Sequence, residues 1–166
     1  MTYFKKQFRN FSPKEYNFKQ LYNYGVNRLY ARDYSRKELF EKMKHYQNDL
    51  KIIDDVLSLL EKQGYLSDKH KAQSIIHYYS SKESLFKIKN RLKNLGISSD
   101  IIEELFSENE NNYQELDTIV HLLEKKFHTY NEINYLKMVR FLAQKGFQYE
   151  EIKKAISLFK SNISKL

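Results

Sequence analysis

A helix pair recurs along this chain at a nearly fixed spacing. Residues 84–106 read SLFKIKNRLKNLGISSDIIEELF. Leu85, Ile88, Leu92 and Leu95 recur at three- and four-residue steps, which places them on one helical face. Gly96 can adopt the left-handed conformation that ends such a helix. Ser98 or Ser99 then caps a second helix, with Asp100 favourable in its first turn and Ile101, Ile102, Leu105 and Phe106 as its apolar face. Residues 135–156, YLKMVRFLAQKGFQYEEIKKAI, repeat the pattern. A shift of fifty sets Ile88 on Met138, Leu92 on Leu142, Gly96 on Gly146, Ile97 on Phe147 and Ile102 on Ile152. A fainter copy lies upstream: a shift of forty-nine sets Leu39 on Ile88, Met43 on Leu92, Ile53 on Ile102 and Leu57 on Phe106. There Gln47 holds the glycine slot and Asn48 the apolar slot. A helix pair cannot bury both apolar faces alone, so repetition at this period predicts a helical repeat protein.

The remaining segments supply a third helix to each copy. Ser12-Pro13-Lys14-Glu15 is a capping box with proline at the first helical position. It predicts a helix to about Ala31 that buries Leu21, Tyr22, Val26, Leu29 and Tyr30, with Gly25 marking close helix approach. Ser35 and Glu38 form a second capping box, opening a helix with Leu39, Phe40, Met43 and Tyr46. Asn48 or Asp49 opens the next, through Ile52, Ile53, Val56, Leu57 and Leu60 to Gly64. A helix over about 68–80 turns Ala72, Ile75, Ile76 and Tyr79 inward. Another, over about 113–127, buries Leu116, Ile119, Val120 and Leu123. Asn131 starts the eighth helix, and residues 149–163 make the ninth. No alternating strand pattern or two-residue hairpin turn is present. The expected fold is all-α: three tandem three-helix repeats in an elongated, curved array. Its blocks are an arm and helix start at 1–18 and repeats at 19–66, 67–111 and 112–166.

Composition agrees with helices and limits the chemistry. One proline and four glycines in 166 residues favour long helices over turn-rich sheet. Cysteine is absent, so neither a disulfide framework nor thiolate chemistry is available. No apolar run approaches the ~20 residues of a membrane span, and the start, MTYFKKQFRNF, lacks the apolar centre of a secretory signal. A cytoplasmic monomer away from membranes is the expectation.

Charge is uneven. The net charge is +8, yet residues 1–50 carry 11 basic and 5 acidic side chains while residues 101–166 carry 9 and 10. A basic front of this kind suits a polyanion or an acidic protein groove. Candidate contacts are Arg28, Arg32 and Arg36 near the first helix junction, and Lys87, Lys89, Arg91 and Lys93 before Gly96. Lys87 and Arg91, like Lys89 and Lys93, are four apart and avoid the apolar face. Lys137 and Arg140 hold the equivalent helix of the third repeat. Guanidinium groups suit bidentate contact with phosphate or carboxylate. Tyr16, Tyr22, Tyr24, Tyr30 and Tyr34 crowd the same front. Such rings can stack on single-stranded bases, and more often they edge a core with the hydroxyl in water.

No catalytic constellation emerges: there is no glycine-rich phosphate loop, no His-Glu-x2-His and no Cys/His cluster. The histidine pairs His70/His77 and His121/His128 lie seven apart without carboxylate partners, so no metal is expected. Asp54-Asp55 and Glu103-Glu104 are adjacent pairs that point to different helical faces, not acid/base dyads. No cofactor is expected.

At Gly64-Tyr65-Leu66-Ser67-Asp68, followed by Ala72, the chain resembles the RecX family of recombination regulators. In that family a Gly-Tyr/Leu-Ile/Leu-Asp-Asp segment precedes a Phe-Ala pair, and an Ile-x3-Leu-x3-Gly-Ile/Val element follows within the second of three repeats. Gly64, Tyr65, Leu66, Asp68, Ala72, Ile88, Leu92, Gly96 and Ile97 match, as do Ser35, Glu38 and Leu39 in the first-repeat element. Ser67 and Lys71 depart from the pattern, and the glycine usual between residues 80 and 86 is missing. Residues 1–18 match nothing in it. The resemblance implies a non-enzymatic protein that binds the RecA–DNA filament and modulates, mostly inhibits, RecA ATPase and strand exchange in DNA repair by homologous recombination and the SOS response. A stand-alone basic helical protein that binds single- or double-stranded DNA is the alternative.

Overall fold

A computed structural model describes residues 15–107, 115–127, 129–130 and 132–163. The described residues form nine α-helices and no strand: α1 Phe18–Ala31, α2 Arg36–Met43, α3 Leu50–Lys62, α4 Asp68–Tyr79, α5 Leu85–Asn94, α6 Ser99–Ser107, α7 Glu115–Lys126, α8 Glu132–Gln144 and α9 Tyr149–Ile163. They divide into two compact units, one ending at Ser67 and one starting at Asp68.

Three separate cores account for the grouping in threes. Leu21 of α1, Leu39 and Met43 of α2, and Ile53, Val56, Leu57 and Leu60 of α3 form the first. Ala72 and Ile76 of α4, Ile88 and Leu92 of α5, and Ile102, Leu105 and Phe106 of α6 form the second. Ile119 and Leu123 of α7, Met138 and Leu142 of α8, and Ile152, Ala155, Ile156 and Phe159 of α9 form the third. Every residue pair that the fifty-residue shift equates among Ile88/Met138, Leu92/Leu142, Ile97/Phe147 and Ile102/Ile152 is buried. Each such side chain removed from water contributes about 1.5–3 kcal/mol, so the three-helix unit, not the helix pair, is what this pattern stabilises.

Backbone geometry repeats with the cores. Gly96 and Gly146 have φ of 80° and 89°. The following amides, of Ile97 and Phe147, donate to the carbonyls of Leu92 and Leu142 at 3.2 and 3.3 Å. This is the Schellman closure of a helix C-terminus, and at both positions it turns the chain into the next helix. Gly64, with φ of 77°, ends α3 in the same way. In the first triplet the glycine slot is filled differently. Gln47 is buried; its Nε2 donates to the Tyr16 carbonyl at 2.7 Å and its Oε1 accepts the Asp49 amide at 2.9 Å. A side chain thus bridges a turn that glycine makes elsewhere, and it pins the strand of chain before α1.

Several boundaries differ from expectation, for local reasons. Asn17 caps α1, in a capping box with Gln20, whereas Ser12 and Pro13 lie outside the described residues. The Tyr16 amide is committed to the Tyr46 carbonyl at 2.7 Å, which holds residue 16 outside the helix. Tyr30, expected to be inward, is 94% exposed, because α1 buries a narrow stripe centred on Leu21 and Gly25. Ser35 and Glu38 do form a capping box, worth about 1 kcal/mol. Asp49 opens α3 through its contact with the Lys51 amide, and the Ser98 hydroxyl faces the Ile101 amide ahead of α6. Asn131 lies outside the described residues. The loop from Ser80 to Ser84 needs no glycine, since no described non-glycine residue has positive φ. Lys71, at the family's phenylalanine position, is buried, as the long aliphatic stem of lysine permits.

Within the second unit, α5 and α8 meet end on. The last carbonyls of α8 have no intrahelical donor. Lys87 Nζ donates to the Gln144 carbonyl at 2.7 Å, and the Ser84 amide donates to the Lys145 carbonyl at 3.0 Å. Lys145 Nζ in turn donates to the Lys82 carbonyl at 3.0 Å. The Glu115 carboxylate accepts the Leu85 amide at 2.5 Å. The approach is so close that a Cβ on Gly146 would stand 2.6 Å from Ser84 Oγ and 2.9 Å from Lys87 Cβ.

Candidate partner-binding surface

The basic residues separate into those with work inside the fold and those without. Arg36 bridges α2 to α3, donating from Nη1 to Glu61 and from Nη2 to Asp54, each at 2.5 Å. Arg91 makes a fork with Glu83, Nε at 2.7 Å and Nη2 at 2.8 Å, and lies 4.2 Å from the Tyr79 ring centroid. Lys87 Nζ reaches the same carboxylate at 3.2 Å. Glu83 is 11% exposed in its side chain. Its hydrogen bonds to Arg91 hold its carboxyl below the usual carboxylate range against the opposing effect of burial, and Lys87 adds to the lowering. Burial pushes the Lys145 ammonium down from the ordinary lysine value, although Glu83 opposes this. Sequence reasoning missed Glu83 as the hub of this cluster. The signal was present, since Glu83, Lys87 and Arg91 recur at four-residue steps on one face.

The other candidates are less committed to the fold. Arg28 is exposed, with its guanidinium 5.0 Å from the Tyr24 ring centroid. Arg32 is exposed, 4.1 Å from the Tyr34 centroid and 3.6 Å from Glu38. Both guanidinium groups are raised above the ordinary arginine value, first by hydrogen bonding to those tyrosines. The Tyr34 phenol is correspondingly lowered by Arg32. Lys89 is half-buried, its ammonium 4.7 Å from the Phe106 ring centroid. Lys93, Lys137 and Arg140 are exposed and have no partner among the described residues. The cationic ridge expected on α5 is therefore divided: Lys87 and Arg91 are committed to Glu83, while Lys93 is open to a partner. In the acidic pairs, Asp54 serves Arg36 and Glu104 serves Lys69.

The structural motif residues are placed as follows. Gly64 closes α3, Tyr65 is half-exposed, Leu66 is buried at the edge of the first core, and Asp68 begins α4. No group of three or more His, Asp or Glu side chains among the described residues could hold a metal ion. No helix among them is long and apolar enough to cross a membrane.

Comparison with known proteins accounts for this architecture. Residues 113–156 match the family model described as RecX, third three-helix domain. The regulatory protein RecX of Haemophilus influenzae strain 86-028NP is 35% identical over 136 residues, covering 78% of this chain and 88% of that protein. The regulatory protein RecX of Legionella pneumophila strain Corby is 28% identical over 138 residues, covering 81% and 91%. A crystal structure of RecX from Lactobacillus salivarius superposes with a TM-score of 0.66 at 23% identity, covering 86% of this chain and 96% of that one. A second RecX crystal structure gives 0.67 at 15% identity, covering 84% and 73%. Those two likenesses establish the fold; the sequence identity with the Haemophilus protein, across nearly its whole length, establishes the family. The chain belongs to the RecX family of regulatory proteins.

Proposed function

We propose that this chain regulates a RecA-type recombinase by binding the RecA–DNA filament, and that its effect is inhibition of ATP hydrolysis and strand exchange. The observation that carries the reading is the 35% identity with a regulatory RecX protein over 136 residues. The reading is of a non-enzymatic protein, acting as a monomer in the cytoplasm. The physical support is a set of helical units that present cations without a partner among the described residues. Lys93, Lys137 and Arg140 project from the second helices of the second and third triplets, where they can meet phosphates or the carboxylates of a filament. Arg28 and Arg32 add charge on α1. Lys87, Arg91 and Arg36 contribute by holding the units in shape. The repeat blocks 19–66, 67–111 and 112–166 are proposed as the separate contacting modules. The test is co-sedimentation with RecA filaments assembled on single-stranded DNA. The chain pellets with filaments and not with DNA-free RecA; recovery in the supernatant at stoichiometric excess of filament rejects the reading.

The same exposed cations favour a second reading, a helical protein that binds DNA without RecA. Each phosphate contact adds roughly one released counterion to the salt dependence. Binding in the absence of RecA that weakens with salt, and weakens further in Lys137→Ala/Arg140→Ala, supports it; salt-insensitive binding opposes it.

A further inference from the structure

The first triplet carries a feature that the proposed filament contacts do not account for. Along α1, Gln20, Asn23, Tyr24 and Asn27 recur at three- and four-residue steps, and with Tyr16 they line an open depression of about 310 Å³. Tyr16 is fixed there from three sides. Its amide is bonded to the Tyr46 carbonyl, its carbonyl is bonded to Gln47, and its ring stacks on Tyr46 at 4.8 Å with planes 19° apart. Tyr24 meets both rings, with centroids 4.9 Å from Tyr46 and 6.4 Å from Tyr16. Asn23 and Asn27 are exposed and have no partner among the described residues. Gln20 uses its Oε1 on the Asn17 amide and keeps Nε2. Helix α1 carries Lys19 and Arg28 and no acid, within a front where residues 1–50 hold 11 basic and 5 acidic side chains.

We infer that this depression is a binding subsite for an unpaired nucleobase of a single-stranded nucleic acid. The chemistry is complementary group by group. Aromatic rings held rigid offer a face on which a base stacks. Asparagine and glutamine amides both donate and accept, and so match the adjoining acceptor and donor on an adenine edge. Arg28, beside Tyr24 and without a carboxylate partner among the described residues, is placed for the adjoining phosphate. A base inside a duplex cannot enter, because both of its faces are already stacked on neighbouring bases. The subsite also gives the degenerate first triplet a reason: Gln47, where the other triplets have glycine, is what anchors Tyr16 at the wall.

The test uses the full chain without RecA, so its outcome is independent of whether the chain regulates a recombinase. Binding of fluorescent oligo(dA) is compared with that of an abasic strand of equal length, which keeps the phosphates and removes the bases. The expected result is binding of oligo(dA) about tenfold tighter than the abasic strand, the order of one stacked base. Asn23→Ala/Asn27→Ala, which removes the edge contacts and leaves the rings, lowers oligo(dA) binding toward the abasic level with unchanged circular dichroism. Lys137→Ala/Arg140→Ala, far along the sequence, weakens both strands equally. Equal binding of the two strands by the native chain, or a base preference undiminished by the asparagine double substitution, overturns the inference. So does binding of free dAMP as tight as that of oligo(dA), which would make the subsite a nucleotide site and not a strand site.

Discussion

Replacing Gly146 by alanine, with Gly64→Ala as its partner experiment, separates two effects that coincide in most helix-ending glycines. Both residues have positive φ, 89° and 77°, so either alanine bears the left-handed strain of about 1–2 kcal/mol. Around Gly64 no atom lies within 4 Å of the added Cβ. Its total cost stays near that figure, reduced by the lower entropy of the unfolded alanine chain, ~0.4–1 kcal/mol. At Gly146 the new methyl meets Ser84 Oγ at 2.6 Å and Lys87 Cβ at 2.9 Å. Lys87 Cβ is held in place by the α5 backbone and cannot rotate away. Ser84 Oγ is the cap that accepts the Lys87 amide at 3.2 Å. Relief requires the α8–α9 turn to withdraw from α5, which lengthens the Ser84–Lys145 and Lys87–Gln144 hydrogen bonds. Overpacking of this kind costs about 1–3 kcal/mol, and a disturbed cap about 1 kcal/mol more. Gly146→Ala is therefore expected to lose ~2–4 kcal/mol more than Gly64→Ala, read from urea midpoints by circular dichroism. Native-state hydrogen exchange gives the local signature: the Ser84 amide loses protection in Gly146→Ala and keeps it in Gly64→Ala. Equal losses in the two variants would refute the end-on contact of α5 and α8.

Other consequences follow from the same packing. Gly25 is in mid-helix, and an added Cβ would lie 2.7 Å from Leu60 Cδ1 and 2.8 Å from Met43 Cε. Those are flexible side-chain ends, so Gly25→Ala gains about 1 kcal/mol of helix propensity against a similar packing loss and comes out near neutral; Gly25→Val, which cannot be accommodated, lowers the urea midpoint clearly. Two carboxylates give opposite pH dependences. Glu83 is held low by Arg91, so its stabilisation is present above the unfolded-state pKa and disappears as pH falls through the folded-state value; in Glu83→Gln, acid causes less loss of melting temperature. Glu115 is raised by burial and by Glu151, so its folded form binds a proton more readily and neutral pH works against it. Glu115→Gln, which can still accept from the Leu85 amide, raises the melting temperature at pH 7 by a few degrees and leaves it unchanged in acid, below the carboxylate pKa range.

Much of the fold was legible because apolar spacing and glycine position report directly on burial and chain reversal. Leu39, Met43, Ile88, Leu92, Met138 and Leu142 are all buried at the positions where the repeat set them. Charge was less legible, because sequence gives the sign of a side chain and not its partner. Lys87 and Arg91 look like surface cations until Glu83 and the α8 carbonyls are placed beside them. The start of α1 was misplaced because two competing caps lie five residues apart, Ser12 and Asn17, and the Tyr16–Tyr46 amide bond selects the second. Gln47 reads as decay of the repeat in one dimension and as a tether in three.

The proposed action of this chain on a recombinase filament is read out by a titration of RecA ATP hydrolysis on single-stranded DNA. The chain is expected to reduce the hydrolysis rate progressively at substoichiometric ratios, with the reduction weakened in Lys93→Ala/Lys137→Ala/Arg140→Ala. An unchanged rate at stoichiometric excess of the folded protein would contradict it.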